Sequence, residues 1–216
     1  MVKKFIYVIL FMIGITNQVF SQTCGPNCPA CSGSTDGSLI PVKSLSLQGM
    51  YIPNGEEEKG ILNLRYGAFD WLDLGVGYTF ESQKIIWNAR IQALKQNEDT
   101  WKPGLIIGTG SIRTGSSDQS IYANLLKTIE FSQNFETSFS GGIATLSSDL
   151  GKIYGIGNVS LTFYDKVTAY VNFDGISFHE GIAWSINDWL SAGVMLVESK
   201  DFALTAKITK PLFKSE

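Results

Sequence analysis

Three cysteines near the amino terminus, Cys24, Cys28 and Cys31, stand in a C-x3-C-x2-C spacing. Three thiolates so placed would hold an iron–sulfur cluster or, with a fourth ligand, a tetrahedral metal ion. Between Gln22 and Thr35 no His, Asp or Glu is present to complete such a set. In an oxidising compartment the same residues would form one disulfide and leave one odd thiol, which would serve to attach a protein partner. Spacing by itself leaves all three readings open.

His179 is the single histidine, set in Ser177-Phe178-His179-Glu180. A serine and a histidine two apart on a strand share a face, but roughly 7 Å separates them, too far for the hydroxyl to reach the imidazole. A lumen-lining histidine is the plainer expectation. Gly108-Thr109-Gly110 and Gly155-Ile156-Gly157 echo phosphate-binding loops, yet neither is followed by Gly-Lys-Ser/Thr or by a helical pattern. They are expected to be small lumenal residues. Glu56-Glu57-Glu58 is expected to be a solvated turn.

The elements that would position these groups follow from the chain's periodicity. Residues 1–21 carry Lys3 and Lys4, an apolar run from Phe5 to Ile15, and the small residues Val19 and Ser21, the pattern of a cleaved signal peptide. Its removal leaves 15 basic and 20 acidic residues, with no basic stripe, which argues against nucleic acid as a partner. A secretory signal also contradicts the cytosolic setting of the radical-SAM enzymes, whose cysteine spacing this chain shares. Residues 22–41 are rich in Cys, Gly and Ser and lack periodicity, so a periplasmic tether is expected there.

From 42 to 213 the chain alternates. In Leu72–Glu81, Leu72, Leu74, Val76, Tyr78 and Phe80 fall on one face, and Asp73, Gly75, Gly77, Thr79 and Glu81 on the other. Twelve such runs are counted, joined by turns in which Asp or Asn sits beside an aromatic residue. The motif Asp-Trp-Leu recurs at 70–72 and 188–190. Trp71, Phe135 and Trp189 fall at one end of an up-and-down meander, where an interfacial row of aromatics would lie. The other faces are not equivalent. One is bulky and apolar throughout, and the other is mostly Gly, Ser, Thr and Asn, with Arg65, Asp73, Arg90, Glu130 and His179 expected to line a lumen. A soluble barrel keeps its bulk inside; a barrel in lipid turns it outward.

The signal peptide, the meander and the repeated turn–aromatic–strand–Gly unit resemble bacterial outer-membrane β-barrel proteins over residues 42–213. Residues 108–127 also resemble, locally, the YjbH type of outer-membrane barrel. The resemblance implies an all-β, antiparallel, transmembrane barrel of about twelve strands, the outer-membrane bilayer as surroundings and the barrel-assembly machinery as a partner. It also implies a non-enzymatic role as a narrow pore or a structural membrane component, with no cofactor. Such barrels commonly end on an aromatic residue; here Phe213 is followed by Lys214, Ser215 and Glu216. Two alternatives come from other classes. A secreted soluble barrel binding an apolar ligand would line its cavity with Leu74 and Trp87, and an outer-membrane barrel hydrolase would depend on His179.

Overall fold

The computed structural model describes residues 39–97, 100–132 and 134–212. The expected signal peptide, Cys24, Cys28, Cys31 and Phe213 lie outside the described residues.

Alternation produces strands because successive side chains leave opposite faces of the ribbon. Twelve strands form: β1 Ser44–Tyr51, β2 Gly60–Phe69, β3 Leu72–Thr79, β4 Ile85–Leu94, β5 Gly104–Gly110 and β6 Ser120–Ser132, followed by β7 Phe135–Leu146, β8 Asp149–Phe163, β9 Val167–Phe173, β10 Phe178–Asn187, β11 Leu190–Val197 and β12 Asp201–Pro211. Each pairs antiparallel with its sequence neighbours, and β1 closes on β12 in register from Ser44↔Pro211 to Tyr51↔Leu204. Closure leaves no free sheet edge, so the strands satisfy each other's backbone groups all the way round, as a hydrocarbon environment requires.

The turns follow local chemistry. Tyr164-Asp165 and Glu198-Ser199 all have φ between 52° and 56°, the centres of primed turns closed by Lys166 N–H to Phe163 O and Lys200 N–H to Val197 O (both 3.0 Å), whose twist matches that of the strands. In the β10–β11 turn the Asn187 carboxamide oxygen accepts the N–H groups of Trp189 (3.1 Å) and Leu190 (2.8 Å), which explains an Asx residue there. The β2–β3, β4–β5, β6–β7, β8–β9 and β10–β11 connections share the end where β1 begins and β12 finishes. This is termed the terminal end, and the opposite one the far end.

Outward faces are apolar. Leu62, Leu74, Trp87, Ile121, Ile143, Ile182, Trp184 and Leu204 are all exposed, with Trp87 at 66%. A band of that size and continuity is the surface of a barrel immersed in lipid, not in water. It excludes the soluble alternative, because Leu74 and Trp87 are outside. Lys127 interrupts the band on β6, but its Nζ reaches the carbonyl oxygens of Asn97 (2.6 Å) and Thr100 (2.7 Å) in the β4–β5 connection at the terminal end. Its stem can therefore lie on the apolar wall while the charge leaves it.

The inner faces hold more than the small polar residues expected. One buried cluster joins Met50, Ile52, Ile61, Tyr170, Ala183, Met195, Val197 and Ala203. Another joins Ile106, Ile112, Tyr122, Leu126, Ala144, Leu146, Tyr154 and Ile156. Two of the glycine pairs also take roles other than the expected ones. Gly108 does face inward, but the Tyr122 phenol directly across the ladder lies over it, where a Cβ would collide. Gly181 and Tyr170 repeat the arrangement. Gly155 and Gly157 face outward, because the buried Tyr154 and Ile156 fix the opposite phase of β8. An inward glycine in this barrel makes room for its cross-strand partner, and so fills the interior instead of widening it.

Candidate functional site

The interior is built from inward residues of all twelve strands, and its chemistry differs along the axis. Toward the terminal end the wall is polar and charged. Arg65 on β2, Asp73 on β3, Arg90 on β4 and Lys207 on β12 are all buried, accompanied by Ser46, Gln48, Asn63, Asn158, Ser160 and Ser191. Asp73 and Arg90 stand directly across the β3–β4 ladder. Arg90 Nε lies 3.1 Å from both oxygens of the Asp73 carboxylate, and Nη2 adds a further contact to Oδ2. The fork of the guanidinium suits such a grip, and burial makes it strong only because both charges are satisfied. Asp73 Oδ2 also accepts the backbone N–H of Ile40 at 3.0 Å.

Glu130 is placed differently from the others. It is exposed, one ladder pair from the terminal rim and opposite Glu136. β6 and β7 run past the buried interior, so the alternation that points Glu130 inward points it at solvent near the rim.

At the far end the loops close over the interior, and His179 organises them. The imidazole is fully buried. Its Nδ1 accepts the N–H of Glu198 at 3.0 Å, which assigns the proton to Nε2 and makes Nε2 the donor to Asp174 Oδ2, also at 3.0 Å. Asp174 then gathers three backbone donors: Thr114 N–H on Oδ2 (3.2 Å), and Ile176 and Ser177 N–H on Oδ1 (3.0 and 2.9 Å). Burial pushes the Asp174 carboxyl up. The hydrogen bond from His179 and those from the turn amides outweigh it and hold the group below its ordinary value. Three separate segments, 111–119, 174–177 and 198–200, are thereby joined at one point.

Both ring nitrogens of His179 are thus committed to structural partners. The Ser177 hydroxyl turns away to Glu198 Oε1 at 3.3 Å. This arrangement offers no nucleophile–base pair at His179. The acidic run also divides. Glu56 and Glu57 are exposed and pair with Lys200 (2.6 Å) and Arg113 (3.0 Å). Glu58 departs from the expected solvated turn: it is buried, and its carboxylate accepts the N–H groups of Glu81 (3.0 Å) and Ser82 (3.1 Å) in the β3–β4 turn. A cavity of about 130 Å³ remains at the far mouth, lined by Ile52, Glu57, Arg113, Val197, Glu198 and Asp201 among others. Among the described residues no group of three or more His, Cys, Asp or Glu could hold a metal ion.

Trp71, Phe135 and Trp189 lie at the terminal end. Trp71 stacks on Phe69 with ring centroids 5.4 Å apart, Phe135 sits between Phe131 (5.6 Å) and Phe163 (5.2 Å), and Lys210 lies 4.4 Å above the Trp189 ring. Such a row is the form an interfacial girdle takes. Glu58 escapes sequence reasoning because its partners are backbone amides of another turn, and Asp174 because its links to Thr114 and His179 join separate segments, which no spacing announces.

No family model matches the chain, and neither does any curated protein. Among solved structures the fold is similar to KdgM porin, at 13% identity and a TM-score of 0.50, covering 79% of this chain and 99% of that one. The shared property is the barrel. The COG4313 outer membrane channel from Pseudomonas putida F1 also aligns, at 11% identity and a TM-score of 0.40, covering 81% of this chain and 97% of that one.

Proposed function

We propose that the protein is a narrow pore of the bacterial outer membrane that admits small polar solutes, inserted there by the barrel-assembly machinery and acting without cofactor or metal. The supporting observation is the inside-out polarity of a closed barrel: bulky apolar side chains outside, and on the inner wall a polar, charged stretch holding Arg65, Asp73, Arg90 and Lys207. A wall of that kind favours water and polar solutes over hydrocarbon. Under this reading the mostly short turns beside the start of β1 and the finish of β12 favour a periplasmic position for the terminal end. The fold likeness to KdgM porin is compatible with it.

The second reading is a filled barrel that serves as a structural membrane component, with the cysteine-rich segment as its contact to a protein partner. The burial of so many inward side chains favours it. Purified protein in planar bilayers separates the two. Discrete conductance steps that persist after repurification support a pore. A folded barrel that inserts and gives no conductance, with or without its amino-terminal segment, supports the structural reading.

A further inference from the structure

The β4–β5 ladder stops at Ala89↔Thr109, although β4 reaches Ile85. Beyond Gly110 the chain leaves the wall, so among the described residues no strand pairs with Ile85–Asn88 on that side. One side chain covers the gap. The Gln119 carboxamide accepts the Trp87 N–H (3.0 Å) and donates to the Trp87 carbonyl oxygen (2.8 Å) and to Thr109 Oγ1 (2.6 Å). Its own backbone carbonyl accepts the N–H of Ser147 (2.8 Å). Backbone groups in a wall that faces hydrocarbon must be satisfied, and here a glutamine stands in for a strand.

The chain that left the wall lies across the far mouth. Ile112 is fully buried in the inward cluster of β5–β8, against which Leu39 also packs, just ahead of the inward-turned Ile40. Arg113 pairs with Glu57, and Thr114 N–H bonds to Asp174 Oδ2. A Cβ at Gly115 would lie 3.2 Å from Ile52 Cδ1 and 3.6 Å from Val197 Cγ1. Residues 111–119 therefore form a strap from β5 and β6 to the far ends of β1 and β11, on another side of the barrel.

We infer that this strap has a second position, in the wall, where it completes the β5–β6 hairpin beside β4 and uncovers the far mouth. The registers on either side agree on it. Carried on from Ala89↔Thr109, the β4–β5 ladder sets Ser111 opposite Trp87 and Arg113 opposite Ile85. Carried on from Gly110↔Ser120, the β5–β6 ladder sets Ser111 opposite Gln119 and Arg113 opposite Ser117. Thr114-Gly115-Ser116 is then the loop, and Gly115, at φ 75°, already has the left-handed conformation that short hairpin loops use. The alternation agrees as well. Ile112 stays inward in phase with Ile106 and Gly108, while Ser111, Arg113, Ser117 and Gln119 turn outward at the rim. Backbone of residue 111 takes over the Trp87 groups and frees the Gln119 side chain. Closure and opening of the mouth rest on the pore reading; the exchange of positions does not.

Two double-cysteine chains test it, each with Cys24, Cys28 and Cys31 changed to serine and each shown to be folded by its heat-modifiable mobility. Gly115→Cys with Val197→Cys locks the strap across the mouth. Ile85→Cys with Arg113→Cys locks it in the wall, because strand partners of that kind have Cα atoms about 5.5 Å apart, within reach of a disulfide. Under mild oxidant both cross-links are expected, and Asp174→Asn, which loosens the strap, should speed the 85–113 link several-fold. Absence of that link, or a rate that Asp174→Asn leaves unchanged, overturns the second position. In planar bilayers the chain locked in the wall should conduct several-fold more than the chain locked across the mouth, and reduction should remove the difference. Equal conductance from the two locked forms overturns the gate. An 85–113 link with no conductance from either form leaves the second position standing and removes the pore. If the Asp174→Asn chain does not fold, the conductance of the two locked forms decides.

Discussion

Two buried aspartates, one toward each end of the barrel, are stabilised in different ways. Asp174 at the far end takes one imidazole N–H and three backbone N–H groups, all from far-end segments. Asp73 toward the terminal end takes a guanidinium from the neighbouring strand and a backbone N–H from Ile40, which belongs to no strand. The first arrangement is a closed set of hydrogen bonds that fastens loops to one another. The second is a charge pair inside the wall that also holds a piece of chain lying in the interior. The far end is therefore built as a fixed cap, whereas the terminal end is built as a seat.

The largest effect is expected from Arg90→Leu. It leaves the Asp73 carboxylate buried without its counter-charge, which should lower stability by about 3–5 kcal/mol in detergent unfolding by urea. An unchanged midpoint would mean that the pair contributes nothing and that the two aspartates are alike. Asp174→Ala follows, at about 3 kcal/mol, because it strands the Nε2–H of His179 and three turn amides in a dry site. Its signature is loss of amide protection at Thr114, Ile176 and Ser177, with the terminal end unaffected.

Acid should act on the far end through Asp174. Its carboxyl is held below the ordinary value, so the stabilisation is fully present above the unfolded value of about 3.9 and is lost as pH falls through the lower folded value. Amide exchange at Thr114, Ile176 and Ser177 should be flat from pH 7 to 5, once corrected for intrinsic rates, and rise only below about pH 4. A rise near pH 6 would show that something other than this carboxylate fastens the loops. The smallest effect belongs to Lys200→Met. Its partner Glu56 is exposed and the pair sits in solvent, so the unfolding midpoint should not move measurably.

Much of this architecture is legible in the residues. Leu72–Phe80 declares its two faces, and the Asp-Trp-Leu turns at 70–72 and 188–190 declare a common end. Twelve strands follow from counting such runs, because alternation and turn chemistry are both local. The interior is less legible. Tyr122 over Gly108 and Tyr170 over Gly181 need the register between strands, and Glu58 reaches a turn more than twenty residues away. His179 can be picked out as the single histidine, but its partner Asp174 is one acidic residue among twenty, and only the convergence of three turns singles it out. The inward path of Leu39 and Ile40 lies in a stretch without periodicity, which alternation cannot orient.

The inside-out barrel can be tested through Trp87, the third residue of β4, which sits on the outer wall opposite Val76 in the middle of β3. With the other four tryptophans changed to phenylalanine, the protein is reconstituted into vesicles containing lipids brominated along the acyl chains, and emission is compared with that in unbrominated vesicles. The barrel described here predicts strong quenching by the bromines and weak quenching by aqueous acrylamide. Strong quenching by acrylamide with none from the brominated chains would contradict it.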